Sequence, residues 1–241
     1  MIQYDRRQNI LSLLTRKGSA TIKELASEVF ASEASVRRDI AALENEGFVR
    51  KVYGGVVLSD YKNSEVPLAL RNSDNSHVKE KIAAEAASLI KSGATLLLDA
   101  SSTVGRMIKY LGGLRDVRII TNSLRAFEEI TKLGNPNIRA YSTGGEFDHS
   151  AQAFFGPAAE SYVRSVSADM VIFSSQGISE DGEISDVSER ETSLRRTMLS
   201  RAKERIFLCD SSKLGVRRIF TLCTKDDVSR IICDEPLPWE N

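Results

Sequence analysis

Five polar clusters carry the chemistry this chain can offer a small ligand. They read Asp99-Ala100-Ser101-Ser102-Thr103, Thr121-Asn122-Ser123, Ser142-Thr143-Gly144-Gly145, Ser174-Ser175-Gln176-Gly177 and Asp210-Ser211-Ser212-Lys213, each following a short apolar run. Hydroxyls, amides, two carboxylates and a lysine suit a phosphorylated polyol. Lys213 can neutralise anionic charge, and the Ser101, Ser102 and Thr103 turn can offer hydroxyls and backbone N–H groups to phosphate. Asp99, Asn122, Glu191 and Asp210 can hold sugar hydroxyls or orient the loops, and Gly144, Gly145, Gln176 and Gly177 complete the candidate set. Residues of these types also cap helices and shape turns where nothing binds. The convergence of five loops, more than any one residue, points to a pocket.

A second constellation, near the N-terminus, fits a different partner. Val36, Ile40 and Leu43 recur at i, i+4 and i+7 and define one buried stripe of a helix. Its opposite side shows Ala34, Arg38, Ala41 and Asn45, flanked by Ser35 and Arg37. Two alanines let the backbone approach double-stranded DNA closely, Arg38 can reach a guanine edge, and Arg37 or Ser35 a phosphate. Asp39 falls at the core boundary, as a helix-positioning partner for an arginine. The run from Phe48 to Tyr53, then Gly54-Gly55 and Val56-Val57-Leu58, predicts a hairpin turning on paired glycines, which accept positive φ. Arg50, Lys51 and Tyr53 would give this wing its DNA contacts.

The elements that must position these residues follow from caps and periodicity. Thr21 and Glu24 form a capping box for a helix carrying Ile22, Leu25 and Val29, Ser32 can cap the next, and Ile10, Leu11, Leu13 and Leu14 mark a helix before both. Residues 1–58 therefore predict a winged helix-turn-helix. This stretch holds nine Lys/Arg against seven Asp/Glu, so placement rather than bulk charge argues for DNA. Residues 59–76 are polar and interrupted by Pro67, and read as a connector, although Val66, Leu68 and Leu70 can pack on either neighbour. From 77 to 241, helices near 78–91, 103–111, 123–133, 156–165 and 188–202 alternate with apolar runs at 95–98, 117–120, 138–141, 170–173, 206–209 and 230–233. That alternation predicts an α/β domain with a mainly parallel sheet and its ligand at the carboxyl ends of the strands.

Composition sets the bounds. The 241 residues carry 33 basic and 33 acidic side chains, which excludes a generally polycationic nucleic-acid binder. No apolar run approaches a membrane span and the N-terminus lacks a signal-peptide h-region, so a cytoplasmic protein is expected. Cys209, Cys223 and Cys233 lack metal-ligand spacing, with only His77 and His149 to assist, and read as buried thiols. No metal or cofactor is expected.

Taken together, the chain resembles the DeoR family of bacterial transcriptional regulators. The likeness rests on Ser35-Val36-Arg37-Arg38-Asp39-Ile40, Glu46-Gly47 and Arg50-Lys51-Val52-Tyr53-Gly54-Gly55 in the first part. In the second it rests on Lys81-Ile82-Ala83, the strand-end clusters above, Phe155-Gly156-Pro157, Gly177-Ile178, Glu191 and Met198. The resemblance implies an effector domain related in fold to ribose-5-phosphate isomerases and glucosamine-6-phosphate deaminases. It also implies repression of a carbohydrate-utilisation operon, relieved by a phosphorylated sugar, by a homo-oligomer, dimer or tetramer. Ser101 and Ser102 stand where the family usually has glycine and threonine, which leaves the backbone less free to wrap phosphate. Tyr53 replaces a usual histidine and keeps a hydrogen-bonding aromatic. Two other readings stay open. One is a DNA-binding regulator whose degenerate pocket serves only oligomerisation; the other is a phosphosugar enzyme using Glu191 as acid/base with Lys213 beside it.

Overall fold

A computed structural model of the chain describes residues 3–45, 47–59 and 75–239. Most of the expected connector, including Val66, Leu68 and Leu70, and Glu46 of the helix-wing signature lie outside these residues. The chain divides into two compact units, Met1–Asp74 and Asn75–Asn241.

The first unit runs α1 (Gln3–Lys17), β1 (Ser19–Ala20), α2 (Ile22–Glu28), α3 (Glu33–Asn45), β2 (Val49–Val52) and β3 (Gly55–Leu58). The Thr21–Glu24 capping box forms with both bonds in place, and Ser32 Oγ accepts from Ser35 N–H at 3.2 Å to start α3. Ile10, Leu14, Leu25, Val29, Val36, Ile40, Leu43, Val49 and Val56 form the core. Between α2 and α3 the chain turns at Phe30, in the left-handed region at φ 50°.

The wing departs from expectation at its turn. Val52 pairs with Gly55, so the two turn residues are Tyr53 and Gly54, and positive φ falls on Gly54 alone (86°). Gly55 is a strand residue with a different reason to be glycine. A third strand, β1, pairs with β3, and a Cβ on Gly55 would lie 2.8 Å from the Ala20 carbonyl oxygen.

The second unit contains α4 (Ser76–Ser88), β4 (Thr95–Leu98), α5 (Ser102–Met107), which runs on into a 3-10 turn at Ile108–Leu111, β5 (Val117–Thr121), α6 (Leu124–Leu133), β6 (Ile138–Ser142), β7 (Glu146–Asp148) and β8 (Ala153–Phe155). It continues with α7 (Pro157–Arg164), β9 (Ala168–Ser174), β10 (Gly177–Ile178), β11 (Glu183–Asp186), α8 (Glu189–Ser200), β12 (Ala202–Cys209), a 3-10 turn at Ser211–Lys213, β13 (Phe220–Thr224) and β14 (Arg230–Cys233). The six apolar runs become one sheet, β14-β12-β9-β4-β5-β6, and every neighbouring pair in it is parallel. Parallel strands are buried on both faces, and two apolar clusters divide accordingly. Leu96, Leu98, Ile119, Ile172 and Leu208 pack on one side, while Leu97, Ile120, Val171, Phe173 and Phe207 pack on the other.

The small antiparallel sheet β10-β11-β13 and the hairpin β7-β8 were not expected, because strands of two to five mixed residues carry no period. The helix expected over 78–91 stops at Ser88. Of the cysteines, Cys209 is buried as expected, whereas Cys223 and Cys233 are only partly so; Cys233 lies on β14, which among the described residues pairs with β12 alone.

Candidate functional site

In the first unit, α3 presents Ser35, Arg37, Arg38 and Asn45 outward, with Ser35 half-buried and the other three exposed. Arg38 Nε and Nη2 lie 3.4 Å from the Ala34 carbonyl oxygen and Ser35 Oγ, long contacts that leave the guanidinium on the surface. Arg37 pairs with Glu33 one turn earlier at 3.4 Å. The wing carries Arg50 and Lys51 exposed, with Tyr53 fully exposed at its tip. Lys51 Nζ pairs with Glu44 of α3 at 2.5 Å, and this bond from Lys51 holds Glu44 below the usual carboxylate range. Asp39 is fully buried and accepts from Arg6 Nε at 2.5 Å and Arg7 Nε at 3.3 Å. Those partners tie the start of α1 to the centre of α3, so the arginine expected for Asp39 is a pair.

In the second unit the strand-end clusters gather at the carboxyl edge of the parallel sheet, and several of their residues build the site instead of facing a ligand. Asp99 accepts from Ser101 N–H (2.9 Å), Ser174 N–H (3.1 Å) and Arg195 Nε (2.8 Å). It clamps the ends of β4 and β9 to α8. Ser101 caps α5, its Oγ accepting from Val104 N–H at 3.2 Å, as Ser123 caps α6 and Ser188 caps α8. Ser102 and Thr103 are buried in the first turn of α5. Gly145 (φ 110°) passes so close to β8 that a Cβ would sit 2.3 Å from the Phe155 carbonyl oxygen, and one on Gly177 would sit 2.4 Å from that of Val216. Gly144 opens this turn in the left-handed region (φ 65°).

Sequence reasoning missed the centre of this arrangement, Arg195. It is buried, and its guanidinium meets Asp99 and Asp186 at 2.8 Å each and also pairs with Glu191 one turn earlier. Burial opposes its charge, but Glu191, Asp186 and Asp99 together raise its pKa. Glu191, the residue weighed as an acid/base, is thus ion-paired with Arg195. The signal was present: Glu191, Leu194, Arg195 and Met198 share one helical face at i, i+3, i+4 and i+7, an ion pair embedded in an apolar stripe.

Asp210 is a further buried carboxylate, 1 % exposed. Burial opposes its ionisation, but Lys213, the Ser212 hydroxyl, Lys79 and Asn75 outweigh burial and hold its pKa below the ordinary value. Lys213 Nζ lies 3.6 Å from Asp210 Oδ2 and donates to Ser174 Oγ at 3.0 Å. Lys79, buried on the inner face of α4, was also missed, although it stands in line with Ile82, Ala83 and Ala86.

Three buried polar atoms at this edge have no hydrogen-bond partner among the described residues: Asn122 Oδ1, Gln176 Nε2 and Asp210 Oδ2. A buried polar group left unpaired costs about 1–3 kcal/mol, so such atoms mark where a ligand would add bonds. Asn122 also lines a narrow cleft with Asp99, Phe155, Glu191, Arg195 and Met198, which has room for about one water molecule. A larger hollow of about 710 Å³ lies at the opposite edge of the strands, around Lys91, Asp169 and Glu204. None of the residues that carry those three atoms lines it, so volume alone does not locate the ligand.

Comparison with known families matches both units. The description "DeoR C terminal sensor domain" fits residues 74–235 and "DeoR-like helix-turn-helix domain" fits residues 6–62. The chain belongs to the DeoR family of transcriptional regulators. Within the DeoR family it is 33 % identical to the uncharacterized HTH-type transcriptional regulator YulB of Bacillus subtilis, over 98 % of this chain and 91 % of that one. It is 30 % identical to the L-fucose operon activator of Haemophilus influenzae, over 97 % and 92 %. It is 29 % identical to the lactose phosphotransferase system repressor of Staphylococcus epidermidis, over 97 % and 93 %. Among solved structures, ribose 5-phosphate isomerase A of Methanocaldococcus jannaschii aligns with a TM-score of 0.43 and 20 % identity, covering 58 % of this DeoR-family chain and 55 % of that one.

Proposed function

We propose that this regulator represses a carbohydrate-utilisation operon and is released from DNA by a phosphorylated sugar. The observation that carries the effector half is the set of buried atoms without a hydrogen bond among the described residues, Asn122 Oδ1, Gln176 Nε2 and Asp210 Oδ2, at the strand ends, the last of them ion-paired with Lys213. One donor, two acceptors and a cation match a ligand with hydroxyls and an anionic group. The relatives' names, a fucose operon activator and a lactose transport repressor, support sugar control and leave its sign to experiment.

On DNA, Arg38 and Asn45 read base edges from α3, while Ser35, Arg37, Arg50, Lys51 and the wing tip Tyr53-Gly54-Gly55 meet phosphate and sugar. A homo-oligomer presents two such units to repeated half-sites. The protein acts without catalysis, since the carboxylate suited to proton transfer, Glu191, is held by Arg195. The narrowness of the cleft means that the effector must part α8 from the strand ends to enter. A ligand that binds the parted form more tightly shifts the population toward it, which is the requirement for coupling to DNA.

Binding of the full-length protein to DNA upstream of its own gene, with and without a panel of sugar phosphates at fixed salt, tests this. Specific binding released by one sugar phosphate is expected. Specific binding indifferent to every member would favour a pocket used only for assembly, a reading supported by the commitment of Ser101 to its helix cap.

A further inference from the structure

The register of the large sheet sets Cys209 and Cys233 side by side as the last residues of β12 and β14. Both are free thiols. Neighbouring strands lie about 4.8 Å apart and in-register residues project to the same face, which falls inside the Cα separation of about 4.4–6.8 Å that a disulfide spans. The proximity of the two thiols raises the pKa of Cys209 and lowers that of Cys233. Burial and the charge of Asp234 work against the lowering at Cys233, and backbone N–H groups of Glu235 and Asp234 support it. Cys209 is sealed in the core, whereas Cys233 is partly exposed on the edge strand.

The residue that follows each strand, Asp210 or Asp234, lies at the carboxyl edge of the sheet. Cys209 Sγ lies 3.4 Å from the Asp210 carbonyl oxygen, and Cys233 Sγ lies 3.8 Å from Asp234 Oδ1. Asp234 in turn accepts from Ser211 N–H at 2.7 Å and Ser211 Oγ at 2.9 Å. The thiol pair therefore adjoins the loop that carries Asp210 and Lys213, and Asp234, directly after β14, holds that loop through Ser211.

We propose that Cys209 and Cys233 are a dithiol modification site, oxidised by a peroxide to a disulfide that fastens the Asp210–Lys213 loop. The Cys233 thiolate attacks one peroxide oxygen and the O–O bond breaks. Cys233 becomes a sulfenic acid, and the departing oxygen takes a proton to leave as water or an alcohol. The Cys209 sulfur then displaces the sulfenic hydroxyl, which takes up the Cys209 proton and leaves as water as the S–S bond forms. Two thiols are oxidised and one peroxide is reduced. Cys223, on β13 in the other sheet, serves as an internal control.

The test treats full-length reduced protein with hydrogen peroxide and maps its peptides without reduction. A cross-link joining the Cys209 and Cys233 peptides is expected, abolished in Cys233→Ser and retained in Cys223→Ser. In Cys209→Ala, where no second thiol resolves it, a sulfenic acid at Cys233 should be trapped by a cyclic dione. Oxidation confined to Cys223, or overoxidation of Cys233 in the wild type with no cross-link, would overturn the site. Hydrogen exchange reads the consequence: amides of residues 211–214 should exchange several-fold more slowly in the cross-linked protein. Unchanged exchange would sever the link to the loop.

Discussion

At the scale of single residues, the buried guanidinium of Arg195 decides how the ligand edge is built. Removing one partner from a buried ion cluster typically costs about 3–5 kcal/mol, because the remaining charges stay buried and uncompensated. Arg195→Leu should therefore lose stability of that order in urea unfolding; a loss within experimental error would mean that Asp99, Asp186 and Glu191 find other partners. Lys213→Ala should fold, keep operator affinity and lose release by the sugar phosphate, and a variant that still responds would remove Lys213 from the effector site. Arg38→Ala should weaken specific DNA binding and relax base preference at one position, worth about 1–3 kcal/mol for a bidentate base contact. The lowered pKa of Asp210 has a sign that can be checked. Its stabilisation is present above the unfolded carboxylate pKa and is lost as pH falls through the lower folded value. Urea midpoints of wild type and Asp210→Asn should thus differ at neutral pH and converge in strong acid, and a gap constant with pH would contradict the assignment. Residue types at strand ends were legible in the sequence, but their division of labour was not. Asp99 and Ser101 offer the same atoms to a ligand as to a neighbouring N–H, and only the fold shows that Ser101 N–H, Ser174 N–H and Val104 N–H reach them first.

At the scale of elements, the sequence was most readable where a period repeats or a cap declares itself. Six apolar runs and the Thr21–Glu24 box gave strands and a helix start close to those observed. The wing turn was misplaced by one residue because two adjacent glycines offer two places for positive φ, and only the pairing of Val52 with Gly55 selects between them. This yields a prediction peculiar to the three-stranded wing. Gly55→Ala must push a methyl carbon to 2.8 Å from the Ala20 carbonyl oxygen, so it should separate β1 from β3 and lower the melting temperature of the DNA-binding unit. An unaffected melting temperature would mean that β1 shifts without cost. The short strands β7, β8, β10, β11 and β13 stayed hidden because their pairing partners, not their own composition, make them strands.

At the scale of the whole molecule, each unit carries its own core, which predicts separable functions. A fragment spanning residues 75–241 should fold, bind the sugar phosphate and show no specific DNA binding; calorimetry of that fragment without a cooperative transition would refute its independence. The strand order has a further consequence, for synthesis. β4, β5 and β6 emerge early, but the centre of the sheet closes only when Leu96 meets Met170 and Thr95 meets Asp169, a separation of 74 residues. Non-local parallel pairing is slow to nucleate, and translation at about 5–20 residues per second imposes a wait of roughly 4–15 s before β9 is available. During that interval the winged unit, whose core residues all lie within the first 58 positions, can complete its fold on the ribosome, while β4 waits with apolar residues on both faces and an unpaired edge. The nascent chain thus completes its helix-turn-helix unit before the parallel sheet of its sensor domain has closed.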